Sequence, residues 1–200
     1  MEVPETEALL PRFRAAHTQV LGVSVDSVYS HANWAASMGG VSFPLLSDFQ
    51  PRGALAQSLG CFLEGAGITD RATVLIDKDG VVRYAVSVGP GGKRDIAELA
   101  AECEKVDALS PGQDLPSGSG LPAGSVLYVR SNCGPSRAVL LARTNLHLDG
   151  VALRNVSEET AAVAELEAAS GGAHAPCMVV EGEAILESDA IIARLVDAVG

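Results

Sequence analysis

Basic residues are scarce in this 200-residue chain: 14 Lys and Arg stand against 25 Asp and Glu, a net charge of -11. No basic cluster occurs along it, which argues against nucleic acid and anionic membrane as partners. Long apolar runs are absent as well. The hydrophobic 48% comes in short pieces broken by Gly, Pro and charge, so no segment approaches a membrane span. The opening MEVPETEALLPRF has neither the basic nor the apolar region of a signal peptide, and a soluble, cytoplasmic protein is the expectation. Cysteine is confined to Cys61, Cys103, Cys133 and Cys177, with no C-x-x-C pair. That is too little for a disulfide framework and fits a reducing compartment with one working thiol. His17, His31, His147 and His174 show no ligand spacing with each other or with the cysteines, so no metal site is expected.

What is present centres on Asn132-Cys133-Gly134-Pro135-Ser136, between a strand-like run (Ser125 to Arg130) and a helical run (Ser136 to Leu146). A cysteine delivered by a strand to the first turn of a helix meets orphan amides and the positive end of the helix dipole. Both favour thiolate, the nucleophilic form.

In chain order, Glu5 to Ala16 has helical spacing, with Pro11 expected to kink or shorten the helix. Gln19 to Val25 suits a buried strand, Asp26-Ser27 a helix cap, and Tyr29 to Met38 the helix, closed by Gly39-Gly40. Phe43 to Leu46 reads as a strand and Arg52 to Leu59 as a helix. Ala72 to Asp77 and Val81 to Val88 flank Lys78-Asp79-Gly80, a hairpin turn, and Arg94 to Val106 is an amphipathic helix. Cys103 lies on its apolar side; Cys103 and Cys61 are both read as core residues. Residues 108–124, rich in Ser, Pro and Gly, read as a flexible linker between domains 1–107 and 125–200. The second domain shows strand, helix (136–146), strand (151–156), helix (158–169), two short strands (177–181 and 184–186) and a last helix (189–199). Ser157 and Ser188 are the expected N-caps. The order β-α-β-α-β-β-α implies a sheet mixing a parallel pair with a hairpin.

Residues 125–200 resemble a glutaredoxin, of the thioredoxin superfamily. VLYVRSNCGPS carries Cys133 as the nucleophile and Ser136 where dithiol members keep a second cysteine. Ala175-Pro176 matches the proline that faces the nucleophile, and Glu187-Ser188-Asp189 the segment that holds the γ-glutamyl group of glutathione. The resemblance implies glutathione as co-substrate, with disulfide or glutathionylated proteins as partners. A helix start at Ser188 suits one carboxylate and Asp189 the amine. Arg130 suits the other carboxylate, and the main chain at Ala175, freed by Pro176, suits strand-like pairing. Other readings stand beside these: Arg130 as a solvated charge, Ser188-Asp189 as a bare cap, Cys177 as a core residue rather than a resolving thiol. C-G-P-S also resembles the C-G-F-S of single-thiol glutaredoxins that share an iron-sulfur cluster, with proline in place of phenylalanine. A glutathione transferase is the weakest rival.

LPRF, QVLGVSVDS, FPLLSD and RATVLIDKDGVVRY make residues 2–106 resemble the C-terminal part of the peroxiredoxin (AhpC/TSA) fold. Arg71 falls where that family keeps an arginine beside its peroxidatic thiolate, here a vestigial peroxidase site read as a structural ion-pair partner. The family's Pro-x-x-x-Thr-x-x-Cys loop aligns ahead of Met1, which implies a late start codon or a truncated gene. The expected fold is therefore α/β, two thioredoxin-like domains, the first lacking its N-terminal strand and peroxidatic-cysteine loop. The expected function is a glutathione-dependent thiol-disulfide oxidoreductase using Cys133, of peroxiredoxin-glutaredoxin hybrid descent, with no peroxidase activity of its own. The alternative is a catalytically degenerate glutathione-binding or interaction protein, its front domain surviving as the assembly element of a homo-oligomer.

Overall fold

The computed structural model describes residues 1–114 and 118–199. The chain divides into two units, one of residues 1–34 with 43–115 and one of residues 35–42 with 116–200. No helix among the described residues is long and apolar enough to cross a membrane.

The first unit begins with α1 (Glu2–Ala15), followed by β1 (Gly22–Ser24), residues 28–34 of α2 (Val28–Ser37), β2 (Leu45–Ser47) and α3 (Ala54–Ser58). Pro11 neither ends nor shortens α1. The turn beyond it is anchored by the buried side chains of Phe13 and Ala16, which pack on Ile96, Ala100 and Cys103. Ser27 caps α2 as expected, its hydroxyl accepting from Ser30 N at 3.2 Å. The predicted strands are longer than the observed ones, because β1 and β2 pair in parallel over only three residues each.

Two short strands had no signature in the sequence: β3 (Phe62–Leu63) and β4 (Ile68–Thr69), an antiparallel pair of two residues each. After them, β5 (Ala72–Ile76) and β6 (Val82–Ser87) form the hairpin predicted around Lys78-Asp79-Gly80. The Asp77 carboxylate organises its turn, accepting from Asp79 N and Val81 N at 2.9 Å and from Arg83 Nε at 2.6 Å. α4 (Ile96–Leu109) follows, with Asp95 as N-cap accepting from Glu98 N at 3.0 Å. Its buried Cys103 is part of the core, as expected, and burial pushes that thiol's pKa up. Cys61 is not a core residue; it is half-buried, its Sγ 3.4 Å from the Leu59 carbonyl.

The stretch 108–124 differs from a free linker. α4 extends into it to Leu109, and the Asp107 carboxylate accepts from Gly112 N at 2.9 Å and pairs with His17 Nδ1 at 2.8 Å. Gly112 is required by close approach, since a Cβ there would lie 2.6 Å from that of His17. At the other end, Ser119 N and Gly120 N donate to the carbonyls of Asp197 and Ala198 at 3.3 and 3.0 Å. Side-chain composition hides these anchors because backbone groups supply most of them. Residues 115–117 lie outside the described residues.

The second unit contains β7 (Val126–Val129), α5 (Gly134–Asn145), β8 (Ala152–Asn155), α6 (Thr160–Ser170), β9 (Cys177–Val180), β10 (Glu183–Leu186) and α7 (Ser188–Val199). Its sheet has the order β10-β9-β7-β8, with β7 and β8 parallel and the other neighbours antiparallel. Side chains alternate along the strands and build two cores. Leu127, Val129, Met178 and Val180 face Val139 of α5 and Ile191 and Leu195 of α7. Tyr128 and Cys177 face Ala162 and Leu166 of α6.

Two expected caps are corrected. Glu159, with extended backbone, holds the N-cap position of α6, while Ser157 Oγ accepts from Ser131 N at 3.1 Å. Ser188 is the first helical residue of α7. Glu187 precedes it at φ +69°, and its carbonyl accepts from Ile191 N at 3.1 Å. In both places a long-range or backbone partner outcompetes the local serine cap.

Leu166 is fully buried, so Leu166→Ala should lower the unfolding free energy by about 2–5 kcal/mol through lost transfer energy and the cavity left behind. Urea denaturation of the full chain measures it; a loss below about 1 kcal/mol would contradict the packing described.

Candidate active site

Strand register decides which residues meet. Tyr128 of β7 lies opposite Cys177 of β9, and Cys177 opposite Leu186 of β10. Two residues past this row, at the same edge of the sheet, stand Arg130, Ala175 and Ser188. On the far side of β7, Tyr128 is in register with Arg154 of β8, which brings residues 156–158 to the same edge. The exits of β7, β8 and β10 and the entry to β9 therefore frame Cys133, which follows β7.

The chain turns from β7 into α5 through Asn132 at φ +54°. Asparagine tolerates this left-handed conformation better than most side chains. Cys133 then occupies the N-cap position of α5, with extended backbone, and Pro135 sits in the first turn, where its missing N–H costs nothing. Cys133 is half-buried. Its thiol is held below the ordinary cysteine pKa, first by the Ser136 hydroxyl, then by the Ser136 backbone N–H, and further by the charge of Arg130; these outweigh the opposing effect of burial. Ser136 is fully buried, and its Oγ accepts from Arg130 N at 3.1 Å, which leaves the hydroxyl proton for sulfur.

Cys133 Sγ lies 4.0 Å from the Ala175 carbonyl, and the Ala175–Pro176 peptide is cis. Arg130 Nη2 donates to the Ala173 carbonyl at 3.1 Å, so its guanidinium lies along the segment leading into Ala175. Ser188 is half-buried and Asp189 exposed at the start of α7, where the first amides have no partner within the helix. Cys177, expected near Cys133 or in the core, is fully buried against Ala162 and Leu166 on the α6 face, the face opposite α5; burial pushes its thiol pKa up. Among the described residues, no group of three or more His, Cys, Asp or Glu side chains is placed to hold a metal ion.

Sequence reasoning missed one part of this edge. Ser131 Oγ donates to Glu158 Oε1 at 2.9 Å, and Asn155 Nδ2 donates to Ser131 Oγ at 2.9 Å and to Glu158 Oε1 at 2.7 Å. The partners are up to 27 residues apart, so no local pattern signals them.

In the first unit, Arg71 is an ion-pair partner, as expected, 2.9 Å from Glu2 Oε2; Arg94 Nη2 reaches the same oxygen at 3.1 Å. Burial raises the pKa of Glu2, but hydrogen bonds from the Arg94 side chain and backbone and the charges of Arg94 and Arg71 outweigh it and leave it low.

Comparison with known proteins places the front of the chain in a class. Residues 1–85 match the AhpC/TSA family, so the N-terminal part is a peroxiredoxin-type domain. Among individual relatives, alkyl hydroperoxide reductase E of Mycobacterium tuberculosis is 40% identical over 94 residues, covering 47% of this chain and 61% of that protein. The chloroplastic 2-Cys peroxiredoxin BAS1 of Arabidopsis thaliana is 31% identical over 114 residues, covering 53% and 42%. The chain thus spans at most about three fifths of these relatives' length. A solved mitochondrial 2-Cys peroxiredoxin of Plasmodium falciparum aligns with a TM-score of 0.49 at 26% identity, over 57% of this chain and 71% of that one.

Ser136→Ala removes the first-named donor to sulfur. The Cys133 pKa should rise, so the thiolate fraction and the iodoacetamide alkylation rate at pH 7 should fall severalfold, with the pH profile of alkylation displaced upward. An unmoved profile would remove Ser136 from the site. The same change leaves Arg130 N without its acceptor, a stability loss of about 1–3 kcal/mol.

Proposed function

We propose that residues 125–199 are a glutaredoxin-like module and that Cys133 is the nucleophile of a thiol-disulfide oxidoreductase using glutathione as co-substrate. The observation that carries this reading is the convergence of a lowered-pKa cysteine at a helix start with Arg130, the Ala175 main chain and the α7 start on one sheet edge. These are donors and acceptors of the kinds a short peptide with two carboxylates, an amine and a thiol needs. In this reading Arg130 takes one carboxylate, the amides of Ser188 and Asp189 the other, the Asp189 carboxylate the amine, and Ala175 the peptide backbone beside Pro176. The AhpC/TSA match in front adds support, since the relatives it shares are named as an alkyl hydroperoxide reductase, a 2-Cys peroxiredoxin and a selenocysteine-containing peroxiredoxin.

The chemistry follows thiol-disulfide exchange. The Cys133 thiolate attacks the glutathione sulfur of a glutathionylated protein. The sulfur-sulfur bond of the substrate breaks, the protein thiolate leaves and takes a proton from solvent, and a Cys133-glutathione disulfide forms. A second glutathione thiolate attacks the glutathione sulfur of that adduct, releasing the Cys133 thiolate and oxidised glutathione. One free glutathione is consumed, the protein thiol is regenerated and the sulfur-sulfur bond passes from the protein mixed disulfide to oxidised glutathione, so electrons balance. The proposed setting is the reducing cytoplasm, where the four free thiols of this chain persist.

A second reading, a glutathione-binding interaction protein that assembles through its front domain, is favoured by the apolar side chains that domain exposes. Tyr29 and Trp34 on α2 are examples, 79% and 45% exposed.

Treatment with oxidised glutathione should add one glutathione to Cys133, read by peptide mass. Cys133→Ser should lower turnover of a glutathione mixed disulfide by about a hundredfold or more. A rate unchanged by this substitution rejects the enzyme reading, while an adduct on Cys133 without turnover favours the second one.

A further inference from the structure

Glu158 carries the inference that goes furthest. Its carboxylate is exposed yet fixed, because Oε1 accepts from Ser131 Oγ at 2.9 Å and from Asn155 Nδ2 at 2.7 Å. Asn155 ends β8, and its own Oδ1 accepts from Ser157 N at 3.0 Å, so the loop holding Glu158 is braced at both ends. Ser131 precedes Cys133 by two residues, a chain distance of at most about 7 Å. An anionic group is thereby held on one flank of the nucleophile loop without needing a further partner to order it.

The sheet order says which flank. β9 lies on one side of β7 and β8 on the other. Ala175, Pro176 and, one strand further, the start of α7 all belong to the β9 side; Glu158 belongs to the β8 side. A mixed disulfide attacked at its glutathione sulfur extends two ways from Cys133. With glutathione laid along Ala175 and Ser188, the protein half leaves toward β8 and Glu158.

Resting on the glutathione reading above, we infer that Glu158 is a specificity-determining residue and that the preferred substrates are glutathionylated proteins with Lys or Arg flanking the modified cysteine. Attraction to Glu158 holds the cationic protein half while the sulfur-sulfur bond breaks and the protein thiolate departs. The chain's net charge of -11 acts in the same direction at longer range, steering cationic partners toward it. Arg130 stands on the opposite flank, held by the Ala173 carbonyl, so the two charges give the edge a polarity along which a substrate aligns.

The test compares glutathione mixed disulfides of Lys-Cys-Lys and Glu-Cys-Glu peptides, with the mixed disulfide of glutathione and 2-mercaptoethanol as the uncharged reference. Glu158→Gln keeps an oxygen able to accept from Ser131 and Asn155 and removes only the charge. The kcat/KM ratio of the lysine to the glutamate peptide should fall about three- to fivefold in Glu158→Gln at low ionic strength. It should fall again in Glu158→Lys, and the difference between variants should shrink in high salt. Turnover of the uncharged reference should stay within about twofold in both variants. A lysine-to-glutamate ratio identical in wild type and both variants overturns the proposal, and so does an equal loss on all three substrates, which marks a structural role. Failure of wild type on every glutathione substrate instead rejects the glutathione reading. Charge selection is then read from single-turnover attack of Cys133 on the disulfide-linked peptide dimers, where the same ratio change supports Glu158 and its absence rejects it.

Discussion

One cross-strand row, Tyr128 against Cys177 and Cys177 against Leu186, governs the position of every group around Cys133. Because side chains alternate along a strand, a slip of one residue would turn Leu127, Val129 and Met178 out of one core and Tyr128 and Cys177 out of the other. Each large apolar side chain so exposed forfeits about 1.5–3 kcal/mol. Register is therefore enforced from both faces, and the chemistry at the sheet edge inherits that rigidity. Arg130, Ala175 and Ser188 are near neighbours because the cores permit no other alignment.

The Cys133 thiol is tuned by a division of labour within one turn. The strand ends at Val129, Asn132 takes the left-handed turn, and the helix begins after Cys133, so sulfur meets the Ser136 backbone N–H in the first helical turn. Ser136 belongs to both sides of this junction: its oxygen accepts from the strand-end N–H while its proton is directed to sulfur. A hydroxyl at this position stabilises the thiolate without placing a second sulfur in the same turn.

Much of this was legible in the sequence where the signal is local. Lys78-Asp79-Gly80 announced its hairpin through turn chemistry, and Asn132 to Ser136 announced the strand-helix junction. The alternation from 125 to 199 matched the β-α-β-α-β-β-α order that the second unit adopts. Illegible features share one cause, partners distant in the chain. Ser157 and Ser188 read as caps, but Ser157 answers to Ser131 across 26 residues and α7 is begun by the Glu187 carbonyl. The Ser131, Asn155 and Glu158 cluster exists only once β7 and β8 are parallel. Residues 118–120 looked like spacer because their role is to satisfy the last carbonyls of α7 with backbone amides, which composition does not record.

The placement of the two fully sequestered thiols gives the molecule an internal gauge. Cys103 sits in the core of the first unit and Cys177 in a core of the second, each raised in pKa by burial. Cys133 stands half-exposed with its thiol pKa lowered. A thiol reagent therefore meets the half-buried Cys61 and Cys133 in the folded chain, and reads the opening of the first unit at Cys103 and the opening of the second at Cys177. The stability of the two units is separately observable without any added label.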